Sequence, residues 1–347
     1  MLALMFGQLS NRESLRDLIA VLDAHRAKCY HLGMGKNISK SGLSKANENR
    51  DYRIFQDYAY SLIREAQLVR SQDIFKLGGK VYAFDSTTID LCLSAFLWAT
   101  FRKKKGGIKL HTLYDVETQI PTFIHITTAS KHDSTVMGEI PYELGAYYMF
   151  DKAYNNFKKL NNIHRLNAFF VIRAKKNLVY KAVKWSRNLP ENIRSDSIIQ
   201  LTGTKTKEYY KEDLRRIKYW DEDQSREFVF LTNATSLKAH QVALLYKNRW
   251  QIELFFKWIK QHLRIKKFWG ISENAVRVQI YVAIITYCLV AIVQWRLKLN
   301  RTPYETLQIL SISLTDKAPL LELLSRNKSK LEEDDIDEMQ LSFFELL

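Results

Sequence analysis

Two aspartates follow short apolar runs that are typical of β-strands. Asp85 follows VYAF at 81–84, and Asp151 follows YYMF at 147–150. A carboxylate at the end of a strand lies at the rim of a sheet, where it can reach a shared site. Carboxylate oxygens are the ligands that Mg²⁺ prefers. Because strand-end aspartates also serve as ordinary caps and turn residues, the pair indicates an acidic site without establishing one.

A third carboxylate belongs to a helix predicted over residues 237–262. Four polar residues of this helix fall within an arc of about 60°: Tyr246, Arg249, Glu253 and Lys260. Large apolar side chains fill the other directions, which predicts a mostly buried helix. Buried charges need ligands or partners. Two interpretations therefore stay open. The four residues form a functional site, or Arg249 and Glu253 form a purely structural ion pair at i and i+4.

Phosphodiester chemistry accounts for this set of residues. Asp85, Asp151 and Glu253 are predicted to hold two Mg²⁺ ions, with Mn²⁺ as an expected substitute. Two such ions activate an attacking oxygen and stabilise the leaving one in an in-line displacement. Lysine and arginine beside them hold backbone phosphates. The three carboxyl groups are accordingly predicted to converge within metal-bridging distance.

The surrounding pattern predicts a catalytic core over 77–176 and 233–300, interrupted by a β-rich insertion over 177–232. Alternating runs at 108–116 and 122–127 predict two further strands of the core. A helical region, 301–347, completes the chain and carries an acidic run at 332–338 that is typical of a solvated end.

The first 76 residues are predicted to be helical. A glycine-containing loop at 33–35 precedes a polar, basic helix at 39–50, and an amphipathic helix follows at 52–70. This arrangement favours a helix-turn-helix-like DNA reader, with an ordinary helical bundle as the alternative. The chain opens on the apolar run MLALMF, which resembles the middle of a helix. We therefore expect an N-terminally shortened copy or a misassigned start.

Charge and hydropathy narrow the functional classes. Lys and Arg number 53 against 37 Asp and Glu, a formal net charge of +16, which predicts a polyanionic partner. Nucleic acids, ribosomes and anionic membranes all satisfy that prediction. The most apolar stretch, 280–293, is shorter than the roughly 20 residues that a membrane-spanning helix needs, so it predicts a buried core helix. The three cysteines form no CxxC pair, which indicates neither a disulfide framework nor a zinc site.

The Tyr-x2-Arg-x3-Glu-x6-Lys spacing of the 246–260 segment resembles the signature of the insertion-sequence-four-like DDE transposases. FDSTTIDL around Asp85, FDKAYNNF around Asp151, KGGIKLHTLYD at 105–115 and ASKHDS at 129–134 are similar to other blocks of that family. The resemblance runs through essentially the whole chain. It implies an α/β fold: a ribonuclease-H-like core with a β-rich insertion, preceded by an α-helical N-terminal domain.

The resemblance also implies cut-and-paste transposition of an insertion sequence in the bacterial cytoplasm, at the nucleoid. A homodimer would assemble on the terminal inverted repeats, nick each DNA end, close it to a hairpin, reopen it and join it to target DNA. Three rivals stay open: an inactive or repurposed DNA-binding derivative, a non-transposing ribonuclease-H-like nuclease, and a structural helical protein whose three carboxylates lie far apart.

Further DNA contacts follow from the same resemblance. Tyr246, Arg249 and Lys260 are expected near the scissile phosphate. The expected DNA-binding residues outside that signature are Lys104, Lys105, Lys109 and Trp220. An aromatic residue of the insertion would stack on a flipped base; Trp185 and Trp220 are the candidates, with simple packing as the alternative. If the start of the chain is shortened, we expect intact chemistry but incomplete recognition of the terminal repeats.

Overall fold

One large β-sheet runs through the centre of this mixed α/β protein. The computed structural model describes residues 1–34, 38–70, 74–102, 105–262, 267–316 and 318–325. Within these ranges the sheet has ten strands. In chain order they are β1 Val81–Leu91, β2 Thr100–Arg102, β3 Lys105–Asp115, β4 Ile120–Thr128, β5 Tyr147–Phe150, β6 Phe169–Arg173, β7 Tyr180–Trp185, β8 Ile193–Leu201, β9 Leu214–Asp221 and β10 Arg226–Thr232.

Strand β1 lies inside the sheet, between β3 and β5. It pairs antiparallel with β3 and parallel with β5, and β3 also pairs with β4 and with the short β2. Strand β6 pairs parallel with β5. The sheet then continues from β6 through β10, β9, β8 and β7, all antiparallel. The segment 177–232, predicted to be rich in β-structure, supplies these last four strands.

The helices precede, cover and follow the sheet. In chain order they are α1 Leu2–Leu9, α2 Leu15–Ala24, α3 Arg26–His31, α4 Lys40–Asn49, α5 Arg53–Val69, α6 Asp133–Val136, α7 Phe157–Arg165, α8 Thr204–Tyr209, α9 Ala239–Asn248, α10 Gln251–His262, α11 Glu273–Arg296, α12 Pro303–Ser313 and α13 Leu320–Ser325. Several begin where a side chain accepts a hydrogen bond from the first turn. Ser39 starts α4, Asn156 starts α7 and Ser272 starts α11 in this way.

Both faces of the central strands are buried. Along β1, Val81 and Ala83 belong to one hydrophobic cluster, while Tyr82 and Phe84 belong to a second cluster on the opposite face. This alternation follows from the two-residue period of a strand. Strands that are covered on both sides appear in sequence as continuous apolar runs, which explains why VYAF and YYMF show no polar alternation.

Helix α11 fills the centre of the first cluster. Among the described residues it is the one helix long and apolar enough to cross a membrane, but 83% of its most apolar window is buried inside the protein. It packs against α5, α1, α4 and the other helices on that face. The prediction of a buried core helix over 280–293 is confirmed.

The N-terminal helices pack onto this core helix and share its hydrophobic cluster. Helix α4 contacts α2 and α11 and leaves Lys40 and Lys45 exposed. The predicted helices at 39–50 and 52–70 are therefore formed, and a DNA-reading role for them stays a prediction. Residues 35–37, which include Gly35 of the glycine loop, and the acidic run at 332–338 lie outside the described residues.

Candidate active site

The pairing of β1 with β5 brings two aspartates together. Phe84 lies opposite Phe150 in this parallel pair, and Asp85 and Asp151 are the next residues along each strand. By alternation, both aspartates belong to the face that carries Val81 and Ala83. Helix α10 contacts β1. The strand register thus places two carboxylates side by side near the helix that carries the third.

The prediction of one continuous helix over 237–262 is wrong. The segment contains two helices, α9 and α10, which are separated at Arg249 and Trp250. The Arg249 N–H donates to the Tyr246 carbonyl, and the Ile252 N–H donates to the Arg249 carbonyl, so the chain tightens to three-residue hydrogen bonds here. The periodicity of the apolar residues does not reveal this break, because one tight turn barely changes their spacing.

The predicted burial of the polar stripe is also wrong for Glu253. This residue lies in the first turn of α10, and its side chain is 56% exposed. Arg249 is 13% exposed and Tyr246 is buried. Glu253, which follows the turn between α9 and α10, is therefore exposed to solvent, whereas Tyr246 and Arg249 face the sheet.

Arg249 connects two of the three carboxylates. Its Nη1 lies 2.7 Å from Asp85 Oδ2, and its Nη2 lies 2.7 Å from Glu253 Oε1. Its Nε is buried without a hydrogen-bond partner. Charge-assisted hydrogen bonds of this length are among the stronger polar contacts in proteins. Arg249 therefore does more than pair with Glu253 on a helix surface, because it also binds Asp85, a carboxylate from the sheet.

Tyr246 reaches the third carboxylate from the last turn of α9. Its hydroxyl donates to Asp151 Oδ1 at 3.3 Å, and the Arg173 guanidinium lies 4.0 Å from the same oxygen. Tyr246 and Arg249 together contact Asp85, Asp151 and Glu253 from a single stretch of chain. The rival reading that the three carboxylates lie far apart does not fit this arrangement.

Burial and neighbouring charges shape the ionisation of the site. Burial raises the pKa of Asp85, Arg249 acts in the opposite direction, and the charges of Glu253 and Asp151 raise it further. Burial lowers the pKa of Arg249, but Tyr246 and Asp85 outweigh it, so the pKa rises and the guanidinium stays charged. Burial also raises the pKa of Tyr246, which keeps its phenol protonated as a donor.

The three carboxylates do not form the metal-sharing group that the sequence predicts. Among the described residues, no three His, Cys, Asp or Glu side chains lie close enough together to hold a metal ion. Like-charged carboxylates repel unless a cation lies among them, and here the cation beside Asp85 and Glu253 is the Arg249 guanidinium. The oxygen donors suit a hard dication, and all three side chains reach solvent. One Arg249 ion pair would have to open for Asp85 and Glu253 to bind a metal together.

Comparison with known proteins places this site in a family. Residues 76–289, which include all three carboxylates, match the family model described as transposase DDE domain. The chain belongs to the DDE transposase family. Residues 1–35 match a second model, described as a domain of unknown function, DUF4372.

Three curated relatives of this chain carry transposase names. "Putative transposase y4zB" of Sinorhizobium fredii is 37% identical over 59% of the chain, and "Probable transposase for insertion sequence element IS5377" of Geobacillus stearothermophilus is 31% identical over 59%. The chain covers only 57% and 54% of the lengths of these two relatives. "Putative transposase for insertion sequence element IS4SA" of Synechocystis is 25% identical over 82% of the chain and 80% of the relative.

A solved structure of a piggyBac transposase synaptic complex with hairpin DNA shows a weaker similarity to this chain. The alignment covers 98% of this chain and 88% of that one, with a TM-score of 0.43 and 11% sequence identity. This similarity is too low to bear on the fold.

The lysines that were predicted to bind DNA differ from one another in their surroundings. Lys260 donates to the Thr88 carbonyl at 2.8 Å, on the strand that carries Asp85. Lys109 is only 15% exposed and lies 3.0 Å from Asp133. Lys105 begins β3, and Lys104 lies outside the described residues. Lys260 thus contacts the strand that carries Asp85, whereas Lys109 is held in an ion pair with Asp133.

The two candidate tryptophans of the insertion differ in exposure. Trp185 in β7, the strand at one end of the sheet, is 64% exposed. Trp220 in β9 is half-buried, and the Arg194 guanidinium lies 5.7 Å from its ring centroid. Nothing in these contacts selects one of them for stacking on a base.

A cavity of about 610 Å³ opens beside Glu253. Residues that line it include Arg173, Arg226, Phe228, Tyr246 and Trp250. The guanidinium groups of Arg173 and Arg226 lie 5.1 and 4.3 Å from the ring centroid of Phe228. Arg173 was not among the residues predicted from the sequence. Like Asp85 and Asp151 it is a charged residue at the end of a β-run, and its strand, β6, pairs with β5, which Asp151 follows.

Proposed function

We propose that this DDE transposase cuts and joins the DNA ends of an insertion sequence with metal ions held by Asp85, Asp151 and Glu253. The supporting observation is the convergence of Tyr246 and Arg249 on all three carboxylates within the region that matches the transposase DDE domain. The net charge of +16 supports a DNA partner.

The carboxylates would hold two Mg²⁺ ions, for which Mn²⁺ can substitute. When bound, such ions activate the attacking oxygen and stabilise the leaving one. The chain's own contribution begins with Arg249. A backbone phosphate is a strong partner for a guanidinium, so bound DNA would draw Arg249 from its carboxylates and free them as ligands. Tyr246 would hold Asp151 in place meanwhile.

Within this proposal the reaction is cut-and-paste transposition. A homodimer pairs two terminal inverted repeats, nicks each end, closes it to a hairpin, reopens it and transfers it to target DNA. The proposed location is the bacterial cytoplasm, at the nucleoid. Lys104, Lys105 and Lys260 are proposed phosphate contacts, and Trp220 or Trp185 a stacking partner for a base.

The proposed architecture divides the chain into a helical DNA-binding domain at 1–76, a ribonuclease-H-like core at 77–176 and 233–300, an insertion at 177–232 and a helical region at 301–347. The order β4-β3-β1-β5-β6, with β1, β5 and β6 parallel, supports this description of the core. The continuation of the sheet through β10 supports placing 177–232 as an insertion into that core.

Replacement of Glu253 by glutamine tests the metal role. Glu253→Gln keeps the shape of the side chain but removes a charged oxygen ligand. We expect loss of Mg²⁺-dependent cleavage of a duplex that carries the element's end sequence, with DNA binding retained in an anisotropy assay. Glu273→Gln is a matched control, because Glu273 is 52% exposed and pairs with Arg277 at i and i+4, 2.7 Å away. Near-normal cleavage by Glu253→Gln would rule out the metal role.

The products separate transposition from its rivals. A transposase yields hairpin ends and strands joined to target DNA. A nuclease yields only nicks and breaks. A repurposed binding protein gives metal-independent binding and no cleavage by the wild-type chain.

A further inference from the structure

Ser86 contacts two carboxylates at once. Its backbone N–H donates to Asp85 Oδ1 at 2.8 Å, and its hydroxyl donates to Asp133 Oδ1 at 2.8 Å. Asp133 begins α6 and is separated from Ser86 by 47 positions of sequence. A serine directly after a proposed metal ligand is therefore tied to an acidic residue from a different element.

Asp133 is in turn held by Lys109 of β3. The Lys109 ammonium lies 3.0 Å from Asp133 Oδ1 and also donates to the Lys131 carbonyl at 3.0 Å. Burial raises the pKa of Asp133, but hydrogen bonds from Lys109 and Ser86 outweigh it and lower the pKa, which keeps the carboxylate ionised as an acceptor. In the chain without DNA, Lys109 makes this internal ion pair, and its expected phosphate-contact role stays a prediction.

Tyr154 extends the same network to the second aspartate. Its buried hydroxyl lies 3.5 Å from Asp85 Oδ1. Tyr154 ends the short 3-10 helix Lys152–Tyr154, for which Asp151 is the N-terminal cap residue. The network thus joins β1, β3, α6 and the turn after β5, which are the elements that place both aspartates.

These contacts divide the oxygens of Asp85. Ser86 and Tyr154 approach Oδ1, while Oδ2 accepts from the Arg249 guanidinium. A carboxylate whose one oxygen is fixed presents the other in a defined direction to a cation. Hydrogen-bond partners behind a metal ligand commonly change metal affinity or activity by about 10–100-fold when they are removed.

We propose that Asp133, acting through Ser86, is a positioning residue that orients Asp85 for metal binding. This inference rests on the proposed function, because it assumes that Asp85 is a metal ligand. Lys109 is the counter-charge that keeps Asp133 in place.

Mn²⁺ binding to the full chain in complex with a duplex that carries the element's end sequence, followed by electron paramagnetic resonance and corrected for the duplex alone, tests the inference without relying on activity. We expect Asp133→Asn and Ser86→Ala each to weaken Mn²⁺ binding by about 10-fold. Ser86→Thr, which keeps the hydroxyl and suits a strand, should restore binding to near the wild-type value. The double variant should be little weaker than either single variant, because both changes break one link. Asp51→Asn, which removes an ion-paired carboxylate elsewhere, should have no effect.

The outcomes separate the inference from the proposed function. If Asp85→Asn weakens Mn²⁺ binding but Ser86→Ala and Asp133→Asn do not, the positioning role is overturned and the proposed function stands. If the wild-type chain in complex with the duplex binds no Mn²⁺ beyond that of the duplex alone, or Asp85→Asn has no effect, the metal role itself fails. Should Asp133→Asn unfold, as judged by circular dichroism, the comparison of Ser86→Ala with Ser86→Thr decides alone.

Discussion

Replacement of Arg249 by glutamine should destabilise the protein in a pH-dependent way. The wild-type guanidinium compensates Asp85, whose carboxyl is 21% exposed and whose pKa burial raises above its ordinary value of 3.8. Without Arg249 that pKa should rise further. A carboxyl with a raised pKa in the folded state binds its proton more tightly there than in the unfolded chain. Its penalty to stability is therefore full above the folded pKa and is relieved as the pH falls through the folded pKa to the unfolded one.

The magnitude follows from the two contacts that are lost. A hydrogen bond between charged groups in a partly buried place contributes about 1.5–3 kcal/mol. The contact with Glu253 adds at most about 1 kcal/mol, because that carboxylate is 56% exposed. We therefore expect a loss of about 2 kcal/mol in the free energy of unfolding at neutral pH, and a smaller loss in acid.

Urea unfolding of the full chain in EDTA, at about pH 7.5 and at about pH 5, measures this difference. Arg277→Gln is the control, because Arg277 pairs with the exposed Glu273 and forms no ion pair with a buried aspartate. Its effect should be smaller and independent of pH. An equal loss for Arg249→Gln at both pH values would identify a packing effect, and no loss would show that Arg249 does not compensate Asp85.

Three other outcomes follow from single contacts. Arg215→Met should cost about 3 kcal/mol in unfolding free energy, because it leaves the Asp196 carboxylate, 7% exposed and 2.6 Å from Arg215, without its charge partner. Gly79→Ala should cost about 1–3 kcal/mol, since an added Cβ would overlap the Gly145 carbonyl oxygen; a thermal melt reports it. In the native protein a thiol reagent should label Cys92 alone, because it is exposed and local hydrogen bonds lower its pKa while the other two cysteines are buried.

Each of these outcomes has a direct check. Arg215→Met combined with Asp196→Leu should recover part of the lost stability, and no recovery would place the loss in packing instead. Gly78→Ala makes a poor control for Gly79→Ala because its φ is positive. Gly107→Ala is the better comparison, because its added Cβ would come no closer than 3.3 Å to another atom, the Cβ of Ala129. Labelling of more than one thiol before unfolding would contradict the burial of Cys29 or Cys288.

The acidic strand ends and the signature spacing were readable because they depend on local patterns. A β-run before Asp85 and another before Asp151 need only neighbouring residues to be recognised, and strand β5 has the predicted bounds. The buried helix at 280–293 was also predictable from a local pattern, because a single segment shows both its apolar length and its lack of charge.

Long-range contacts were beyond such patterns. The break at Arg249 leaves the apolar spacing intact, and the exposure of Glu253 depends on what surrounds the start of α10. Lys109 looks like a phosphate ligand in a basic stretch, but Asp133 lies against it once β3 and α6 pack together. No pattern of residue types in the chain indicates that Ser86 and Asp133 touch.

The sequence by itself determined which residues are proposed to carry the chemistry: three carboxylates with a tyrosine, an arginine and a lysine at signature spacing. Only the tertiary structure decided how they meet. The parallel register of β1 and β5 sets Asp85 beside Asp151, and a tight turn between α9 and α10 puts Arg249 between sheet and helix. The physical reason is that strand pairing and charge compensation act between segments far apart in the chain, where residue spacing carries no information.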